Sequence, residues 1–279
     1  MIKIGQNSKL RTGWVVSPCF SIGVHLKDRL LLEKIMATLG VGQIYKQGKD
    51  SLQLRVESLK DIDKLIKFLD KYPLISQKWA DCELFKQAFY LISKKEHLSQ
   101  EGLHKIVAIK ASMNLGLSVV LKAAFPNIIP VSRPVLANQE IKDPNWLAGF
   151  VSGEGCFFIS IFKSPSYKSG FAVKLKFSLT QHFRDEQLLK SLADYFGCGY
   201  HFSSSGYNYG EFRVEKLSDI SDKIMPFFDK YPVLGVKSMD YADFKRVAEL
   251  MENKVHLIAE GLDQIRQIKG GMNTGRKHS

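Results

Sequence analysis

One carboxylate stands out among the residues whose type and position could support chemistry. Glu154 ends a short helix-like segment that starts near Asp143, and Gly155 follows it directly. A carboxylate at a helix C-terminus faces the negative end of the helix dipole, so it is disfavoured unless water or a cation surrounds it. Carboxylate oxygens are ligands that Mg²⁺ and Ca²⁺ prefer. The position therefore indicates either a solvated turn or one ligand of a divalent metal site.

Other metal ligands and nucleophiles show no comparable pattern. The four cysteines, Cys19, Cys82, Cys156 and Cys198, are far apart and form no Cys-x-x-Cys pair. The seven histidines are equally dispersed. Neither a disulfide framework nor a structural zinc site is indicated.

The segment that carries this acid has the features of a tightly packed helix. Asp143 suits the N-cap position and Pro144 suits the first helical turn. Gly149 and Gly153 lie four residues apart, a spacing of small residues that allows another helix to approach closely. Glycine inside a helix costs about 1 kcal/mol relative to alanine, so close packing would have to compensate for two of them.

An internal repeat organises the chain. Residues 19–42 align with residues 176–199 at an offset of 157, and the offset rises to 158 and then 159 further along. Agreement over about 100 positions with two single-residue insertions indicates a tandem duplication. We assign the copies to residues 1–116 and 143–279, joined by a proline-containing linker at 117–142.

Each copy is predicted to combine strands with amphipathic helices in an α+β fold. Alternating polarity in 51–57 and 171–177 indicates half-buried strands. Apolar residues three and four positions apart in 28–39 and 61–71 indicate helices. The predicted order is strands, helix, two strands, helix and two further helices, giving an antiparallel sheet with helices on one face. Expected helix N-caps and C-terminal glycines occupy matching positions of the two copies: Asp28, Asp185, Gly40 and Gly197.

The free face of each sheet is predicted to be basic and polar. The chain carries 40 Lys and Arg against 28 Asp and Glu, a net charge of +12, which favours a polyanionic partner. Lysine and arginine neutralise phosphates, and Arg, Gln, Asn and Tyr can contact base edges. An ordinary solvated sheet face would show the same alternation. The outward candidates are Lys3, Gln6, Arg11, Gln43, Tyr45, Lys49, Gln53 and Arg55 in the first copy, and Lys163, Lys168, Lys174, Lys176, His201, Tyr207, Asn208 and Arg213 in the second.

Membrane insertion and import from another compartment are not predicted. No apolar run approaches the ~18 residues that a membrane span requires, and the N-terminal sequence resembles neither a secretion signal nor a mitochondrial presequence. We therefore expect the protein to act where it is synthesised.

The sequence Leu-Ala-Gly-Phe-Val-Ser-Gly-Glu-Gly at 147–155 closely resembles the signature of the LAGLIDADG homing endonucleases. The similarity extends over essentially the whole chain. Further matches to the single-chain, double-motif members encoded in fungal mitochondrial introns lie at His25, Asp28, Lys78, Lys237, two Asp-Lys-Tyr-Pro runs and the Met-Asn-x-Gly sequences at 113 and 272.

This resemblance implies two αββαββα-type halves related by a pseudo-twofold axis, with sheets that form a saddle on double-stranded DNA. It implies a monomeric mitochondrial enzyme that uses Mg²⁺ to leave a staggered break, with Ca²⁺ able to occupy the site without supporting cleavage. Glu154 would be the metal-binding acid of the second motif, and Gln181 would lie near a metal-bound water. Lys78 and Lys237 would flank the active sites, although position alone leaves them open as phosphate anchors or surface charges.

One expected feature is absent from the first copy. The repeat offset places the counterpart of Glu154 before Met1, so the sequence contains one signature helix and one catalytic acid. Three expectations follow: a longer reading frame with the first motif upstream, a short form that binds DNA or intron RNA as a splicing maturase, or an enzyme that nicks one strand.

Overall fold

A computed structural model describes residues 1–136, 139–203, 206 and 208–276. The chain divides into two compact units, Met1–Asn138 and Gln139–Ser279. Each unit combines antiparallel strands with helices, which confirms the predicted α+β fold. Within the described ranges, no helix has the length and apolar character needed to cross a bilayer.

The first unit follows the predicted order of elements. Its strands β1 and β2 pair with each other, and β3, β5 and β4 form a three-stranded sheet in that order. All pairings are antiparallel. The elements are β1 (Ile2–Gln6), β2 (Trp14–Pro18), β3 (Phe20–His25), α1 (Arg29–Leu39), β4 (Gln43–Lys46), β5 (Ser51–Val56), α2 (Leu59–Lys71), α3 (Lys78–Ser93), α4 (Gln100–Ser112) and α5 (Val119–Ala124).

The second unit repeats this order behind an additional leading helix. Its four strands form one antiparallel sheet in the order β6-β7-β9-β8. The agreement of element order confirms the duplication. The elements are α6 (Pro144–Glu154), β6 (Gly155–Lys163), β7 (Phe171–His182), α7 (Glu186–Phe196), β8 (Tyr200–Ser203), β9 (Tyr209–Val214), α8 (Leu217–Asp219), a π-helical turn (Ile220–Ile224), α9 (Met225–Lys230), α10 (Lys237–Glu252) and α11 (Ala259–Gly270).

The first sheet differs from the expected single sheet because its long strand is divided at Cys19. Strand β2 pairs with β1, whereas β3 pairs with β5, so the two sides of Cys19 have different partner strands. In the second unit, the uninterrupted strand β7 makes both pairings, with β6 and with β9. Equivalent strands are therefore adjacent in both units, although the sheet of the first unit is split into two separate strand ladders.

The predicted linker at 117–142 also differs from expectation. Helix α5 lies within it and buries Leu121 in the core of the first unit. Phe125 is buried as well, and its ring centroid lies 5.3 Å from that of Trp14. The backbone around the prolines is irregular, but apolar residues of the segment pack against the core of the first unit. The division between the units falls just before Gln139.

A π-helical turn absorbs one of the two insertions that separate the repeats. The repeat offset rises from 158 to 159 at Ser221, and the π-helical turn Ile220–Ile224 lies at this position. The equivalent helix α2 is regular along its length. A π-helical turn accommodates one extra residue without ending the helix. Ile220 and Ile224 both remain buried, so the insertion leaves the core-facing side intact.

Matching glycines fix the start of the outer strand in each unit. Gly42 and Gly199 have φ angles of +92° and +77°, a region that side-chain-bearing residues rarely adopt. A β-carbon would also lie 2.8 Å from the Arg55 carbonyl oxygen or 2.7 Å from that of Arg213. Gly40 and Gly197 end α1 and α7 in the left-handed conformation, as predicted.

The predicted aspartate caps are replaced by histidines. Asp28 and Asp185 occupy the N-cap positions of α1 and α7, but neither carboxylate makes the capping hydrogen bond. His25 and His182 instead accept the backbone N–H two residues later at Nδ1, at 3.2 and 3.3 Å, and so cap the 3-10 turns Leu26–Asp28 and Phe183–Asp185 that lead into these helices. Asp185 is buried and accepts a hydrogen bond from Gln139 Nε2 at 2.9 Å.

A second pair of histidines lies in matching turns after α3 and α10. His97 and His256 follow Lys95 and Lys254, which adopt positive φ angles of 62° and 59°. Burial lowers the pKa of both imidazoles, and a hydrogen bond to a backbone carbonyl offsets part of this effect. Both rings therefore favour the neutral form in the folded protein.

These histidines predict acid-sensitive stability. An unfolded histidine titrates near pH ~6.5, so the unfolded chain binds more protons than the folded chain below that pH. The free energy of unfolding should therefore fall as the pH is lowered from about 7 to about 5. Urea unfolding across this range measures the effect, and the double variant His97→Gln/His256→Gln should show a flatter dependence. Identical pH profiles would contradict the assignment.

Candidate functional site

Helix α6 presents its acid at the boundary between helix and sheet. Asp143 caps the helix by accepting the Asn145 backbone N–H at 2.8 Å, as predicted. Leu147 and Val151 are buried, which fixes the opposite side of the helix in the core. Glu154 is exposed in the last turn.

Gly155 allows the helix to pass directly into strand β6. A β-carbon at this position would lie 2.6 Å from Val151 Cγ1 and 2.8 Å from the Val151 carbonyl oxygen. The residue pairs with Leu179 in the adjacent strand. The position of Glu154 is therefore set by two neighbouring constraints, the end of α6 and the first ladder pair of the sheet.

Lys237 contacts the backbone of the residue that precedes this acid. The Lys237 Nζ donates a hydrogen bond to the Gly153 carbonyl oxygen at 3.0 Å, and a cation at a helix C-terminus is favoured by the helix dipole. Ser152 Oγ accepts the Leu234 backbone N–H at 2.9 Å, which ties the segment before α10 to α6. The last turn of α6 thus carries the Glu154 carboxylate and also binds the Lys237 ammonium through the adjacent Gly153 carbonyl.

Gln181 belongs to the same end of the sheet. It lies two residues beyond Leu179, which pairs with Gly155, so the register brings it level with the end of α6. Gln181 is half-buried. Three of the predicted catalytic residues of the second unit are therefore grouped at one end of its sheet.

A buried ion pair holds the start of α10. Asp240 accepts the Asn273 backbone N–H at 3.0 Å and the Arg276 Nη2 at 2.8 Å. The Asp240 side chain is 9% exposed and the Arg276 side chain 16%. The second Met-Asn-x-Gly sequence is thereby tied to the first turn of α10, three residues from Lys237.

The first unit has the same arrangement near Lys78. We call it a clasp: an aspartate in the first turn of a helix that binds an arginine and the backbone of a Met-Asn-x-Gly sequence. Asp81 accepts the Asn114 backbone N–H at 2.8 Å and the Arg133 Nη1 at 2.8 Å. Lys78 is exposed at the start of α3. The two matched lysines therefore begin equivalent helices that are anchored in the same way, and Arg133 was not recognised because it lies in the predicted linker.

In the first unit, polar side chains form a hydrogen-bonded group on the sheet face away from the core. Arg55 donates to the Gln53 side-chain oxygen, and its guanidinium carbon lies 5.4 Å from the Tyr45 ring centroid. Tyr45 donates to the Gln43 side-chain oxygen at 2.9 Å. The alternate residues of β5 are buried, which fixes this face as the open one.

The corresponding face of the second unit pairs cations with aromatic rings. Lys176 Nζ lies 5.7 Å from the Phe158 ring centroid, and the Arg213 guanidinium carbon lies 5.6 Å from that of Phe202. Cation–π contacts of this kind restrict long side chains to defined positions. Burial raises the pKa of the Cys156 thiol, while Lys176 and Lys237 act to lower it.

Most predicted outward residues occupy exposed or open-face positions, and their contacts with a nucleic acid remain a prediction. Alternation along the strands places one group on the open faces: Lys3, Gln43, Tyr45, Gln53, Arg55, Lys174, Lys176 and Arg213. Another group lies in exposed connections: Arg11, Lys49, Lys168 and Asn208. Tyr207 lies outside the described residues.

The strand register corrects the outward assignment of His201, Gln6 and Lys163. His201 lies on the helix-packed side of β8, opposite buried Phe212 in the ladder. Gln6 shares the side of buried Ile2, and Lys163 lies on the side opposite Lys174 at the end of its strand. Since strand side chains alternate, an error of one residue moves a side chain to the other face.

Several open-face residues were missed from the sequence. Most are aromatic residues that resemble core positions until the register is known. The buried positions of β7 and β9 would have identified them, because the alternate residues must point the other way. They are Phe158, Phe162, Thr180, Tyr200, Phe202, Tyr209 and Glu211.

These features define a duplicated α+β chain with open, cation-rich sheet faces and an exposed acid at a helix end that a lysine contacts. The model of the LAGLIDADG endonuclease family matches residues 1–89 and 147–248, and the chain belongs to that family. It is 39% identical to the probable intron-encoded endonuclease 3 of Neurospora crassa over 272 residues, covering 96% of this chain. The alignment spans 51% of that relative, and 62% of the length of the N. crassa endonuclease 2.

Two solved structures resemble the chain over nearly its full length. The I-SmaMI LAGLIDADG homing endonuclease bound to cleaved DNA superposes with a TM-score of 0.97 and 46% identity, covering 99% of this chain and 93% of that one. The meganuclease I-CpaMI bound to uncleaved DNA gives a TM-score of 0.94 and 45% identity, covering 98% and 94%. I-SmaMI has also been solved with uncleaved DNA and calcium ions, and with lysine-to-alanine substitutions.

The two clasps predict unequal costs of disruption. Asp240→Ala should lower the free energy of unfolding by about 2 kcal/mol, because it removes a 9% exposed carboxylate that accepts from the Asn273 backbone and from Arg276, although Asp243 still pairs with Arg276. Asp81→Ala should cost about 1 kcal/mol, because its partner Arg133 is 32% exposed. Urea unfolding of both variants measures the difference. A larger loss for Asp81→Ala would contradict this description of the two ion pairs.

Proposed function

We propose that this chain acts as a sequence-specific homing endonuclease that hydrolyses double-stranded DNA with Mg²⁺, leaves a staggered break and supports intron mobility. The open sheet faces of the two units would each contact one half of the target. Glu154, Gln181 and Lys237 would form the catalytic site of the second unit, and Lys78 would serve the equivalent position in the first.

The juxtaposition of Glu154 and Lys237 carries this proposal. Glu154 ends α6, and the Lys237 Nζ binds the carbonyl oxygen of the preceding residue, Gly153, at the point where β6 begins and leads onto the cation-rich face. A carboxylate beside an ammonium suits hydrolysis of a phosphodiester, because one group binds a metal and the other offsets charge on the transition state. The adjacent face supplies the cations that hold the polyanionic backbone.

The site fits a metal ion that is coordinated by the protein and by the phosphates of the substrate together. Among the described residues, no three His, Cys, Asp or Glu side chains are grouped as a metal site. Mg²⁺ commonly binds one or two carboxylates together with water and substrate phosphates, and exposed Glu154 suits that arrangement. When bound, Mg²⁺ would supply Lewis acidity and a more acidic water. Lys237 would face the charge that develops on the phosphate, and Ca²⁺ would occupy the site without supporting cleavage.

The spacing of the lysines supports paired roles. The two lysines substituted in the I-SmaMI structures are 159 positions apart, the same separation as Lys78 and Lys237. We therefore propose that each lysine serves the cutting of one strand. We further propose that the enzyme works as a monomer with pseudo-twofold related units, in the mitochondrion in which it is made.

The Glu154→Gln variant tests the catalytic assignment. The substrate is a duplex that joins the two exon ends flanking the intron that encodes the protein. With Mg²⁺, the substitution should slow cleavage by at least about 100-fold, because it removes the charge that would bind the metal. Affinity measured with Ca²⁺ should stay within about threefold of the unmodified protein.

The control is Glu252→Gln, an exposed acid at the end of α10, which should leave cleavage unchanged. Cleavage by Glu154→Gln at the normal rate would refute the assignment. Tight binding of the duplex or of intron RNA by the unmodified chain, with an intact phosphodiester backbone, would favour a maturase or binding protein.

A further inference from the structure

An acidic residue lies at the centre of the second unit's cationic face. Glu211 on β9 is opposite Thr180 on β7 and Phe202 on β8 in the sheet. Its Oε1 accepts a hydrogen bond from Lys176 Nζ at 3.2 Å, and its Oε2 accepts one from Arg213 Nη2 at 2.5 Å. Both carboxylate oxygens are therefore engaged by cations on the surface that would face DNA.

This group is well ordered by its surroundings. The Glu211 side chain is 13% exposed, against 25% for Arg213 and 28% for Lys176. Burial acts to raise the pKa of Glu211, but hydrogen bonds from Arg213, Ser178 and Lys176 hold it below its usual value. The carboxylate is thus ionised at neutral pH, and charge-assisted hydrogen bonds fix both cations.

The first unit contains a neutral version of the same arrangement. Gln53 corresponds to Glu211, and its side-chain oxygen accepts from Arg55. In both units the arginine also lies over an aromatic ring of the outer strand, at 5.4 Å from the centroid for Arg55 and 5.6 Å for Arg213. The amide oxygen of Gln53 thus holds one cation, whereas the two carboxylate oxygens of Glu211 hold two cations and carry a negative charge.

We propose that Glu211 determines sequence specificity in the half of the target bound by the second unit. The inference rests on the proposed DNA-binding function. By fixing Arg213 and Lys176, the carboxylate reduces the entropy lost when these side chains contact base edges. By cancelling one positive charge, it weakens attraction to phosphates that occurs with any sequence. Binding then depends more strongly on the base pairs beneath the two cations.

Equilibrium binding of Glu211→Gln tests both consequences. Fluorescence anisotropy with Ca²⁺ would use the target duplex, each single base-pair substitution of it and an unrelated duplex, from about 50 to 300 mM salt. Glu211→Gln should bind the unrelated duplex several-fold more tightly, with a salt slope steeper by about one unit. Discrimination should fall about tenfold at one or two adjacent base pairs and stay unchanged elsewhere.

Two further variants make the result specific. Glu215→Gln removes an equal charge just beyond β9, where the carboxylate is 41% exposed, accepts from Tyr200 Oη at 3.0 Å and lies 3.9 Å from Arg213 Nη1, beyond hydrogen-bond distance. It should strengthen binding to the unrelated duplex without changing base discrimination. Gln53→Glu is the reverse exchange in the first unit, and it should weaken binding to the unrelated duplex and reduce the salt slope.

The outcomes separate this inference from the proposed function. If the unmodified chain discriminates among base pairs and Glu211→Gln discriminates equally well, the inference is overturned and the proposed function stands. If the unmodified chain binds target and unrelated duplexes alike, the proposed function fails. Should Glu211→Gln fail to fold, Gln53→Glu decides: an unchanged salt slope and unchanged affinity for the unrelated duplex would overturn the inference.

Discussion

The direct passage of helix α6 into strand β6 at Gly155 is the constraint on which the rest of the candidate site depends. Because no loop separates the two elements, the last turn of the helix and the first ladder pair of the sheet occupy adjacent positions. Glu154 is therefore presented where the sheet begins. The same turn leaves carbonyl oxygens without helical partners, and the Lys237 ammonium binds one of them. A structural requirement of the helix end thus brings a cation to the acid.

Duplication gives both units the same anchoring contacts, but their core residues and sheet-face residues differ. Each unit starts an equivalent helix with a lysine, exposed at Lys78 and half-buried at Lys237, and anchors that helix through an aspartate, an arginine and the Met-Asn-x-Gly sequence. The cores differ, since the first is largely aliphatic and the second contains a cluster of phenylalanines around Phe157. The sheet faces differ too, because a glutamine in the first unit corresponds to a glutamate in the second. Under the proposed function, the two units would therefore contact the two halves of a DNA target with different side chains.

Much of the fold could be predicted because local patterns agree with the final structure. Period-two alternation identified β5 and β7, helical spacing identified α1 and α2, and Gly40 and Gly197 marked the ends of α1 and α7. The acid at Glu154 was apparent because charge and helix polarity conflict there. Its neighbour Lys237 could be identified only through the repeat and the family resemblance, since the contact joins residues 84 positions apart.

The orientation of side chains on the sheets was harder to predict. At exposed strand ends, residues are polar whichever face of the sheet they point to. The polarity of Gln6 and Lys163 therefore does not reveal the face on which they lie. The open-face aromatic residues have the opposite problem, because Phe158 and Phe202 resemble core residues in sequence. Register resolves both cases, and register depends on long-range pairing that a single strand's sequence does not contain.

Strand-resolved cleavage tests the central claim most directly. A target duplex labelled separately on each strand would be cut with Mg²⁺ by the unmodified chain and by Lys237→Ala, with affinity measured in parallel. Pairing of Lys237 with Glu154 predicts that one particular strand is cut at least about 100-fold more slowly while affinity changes little. Unchanged cutting of both strands, or a loss that only follows reduced binding, would contradict the assignment of this pair as a catalytic site.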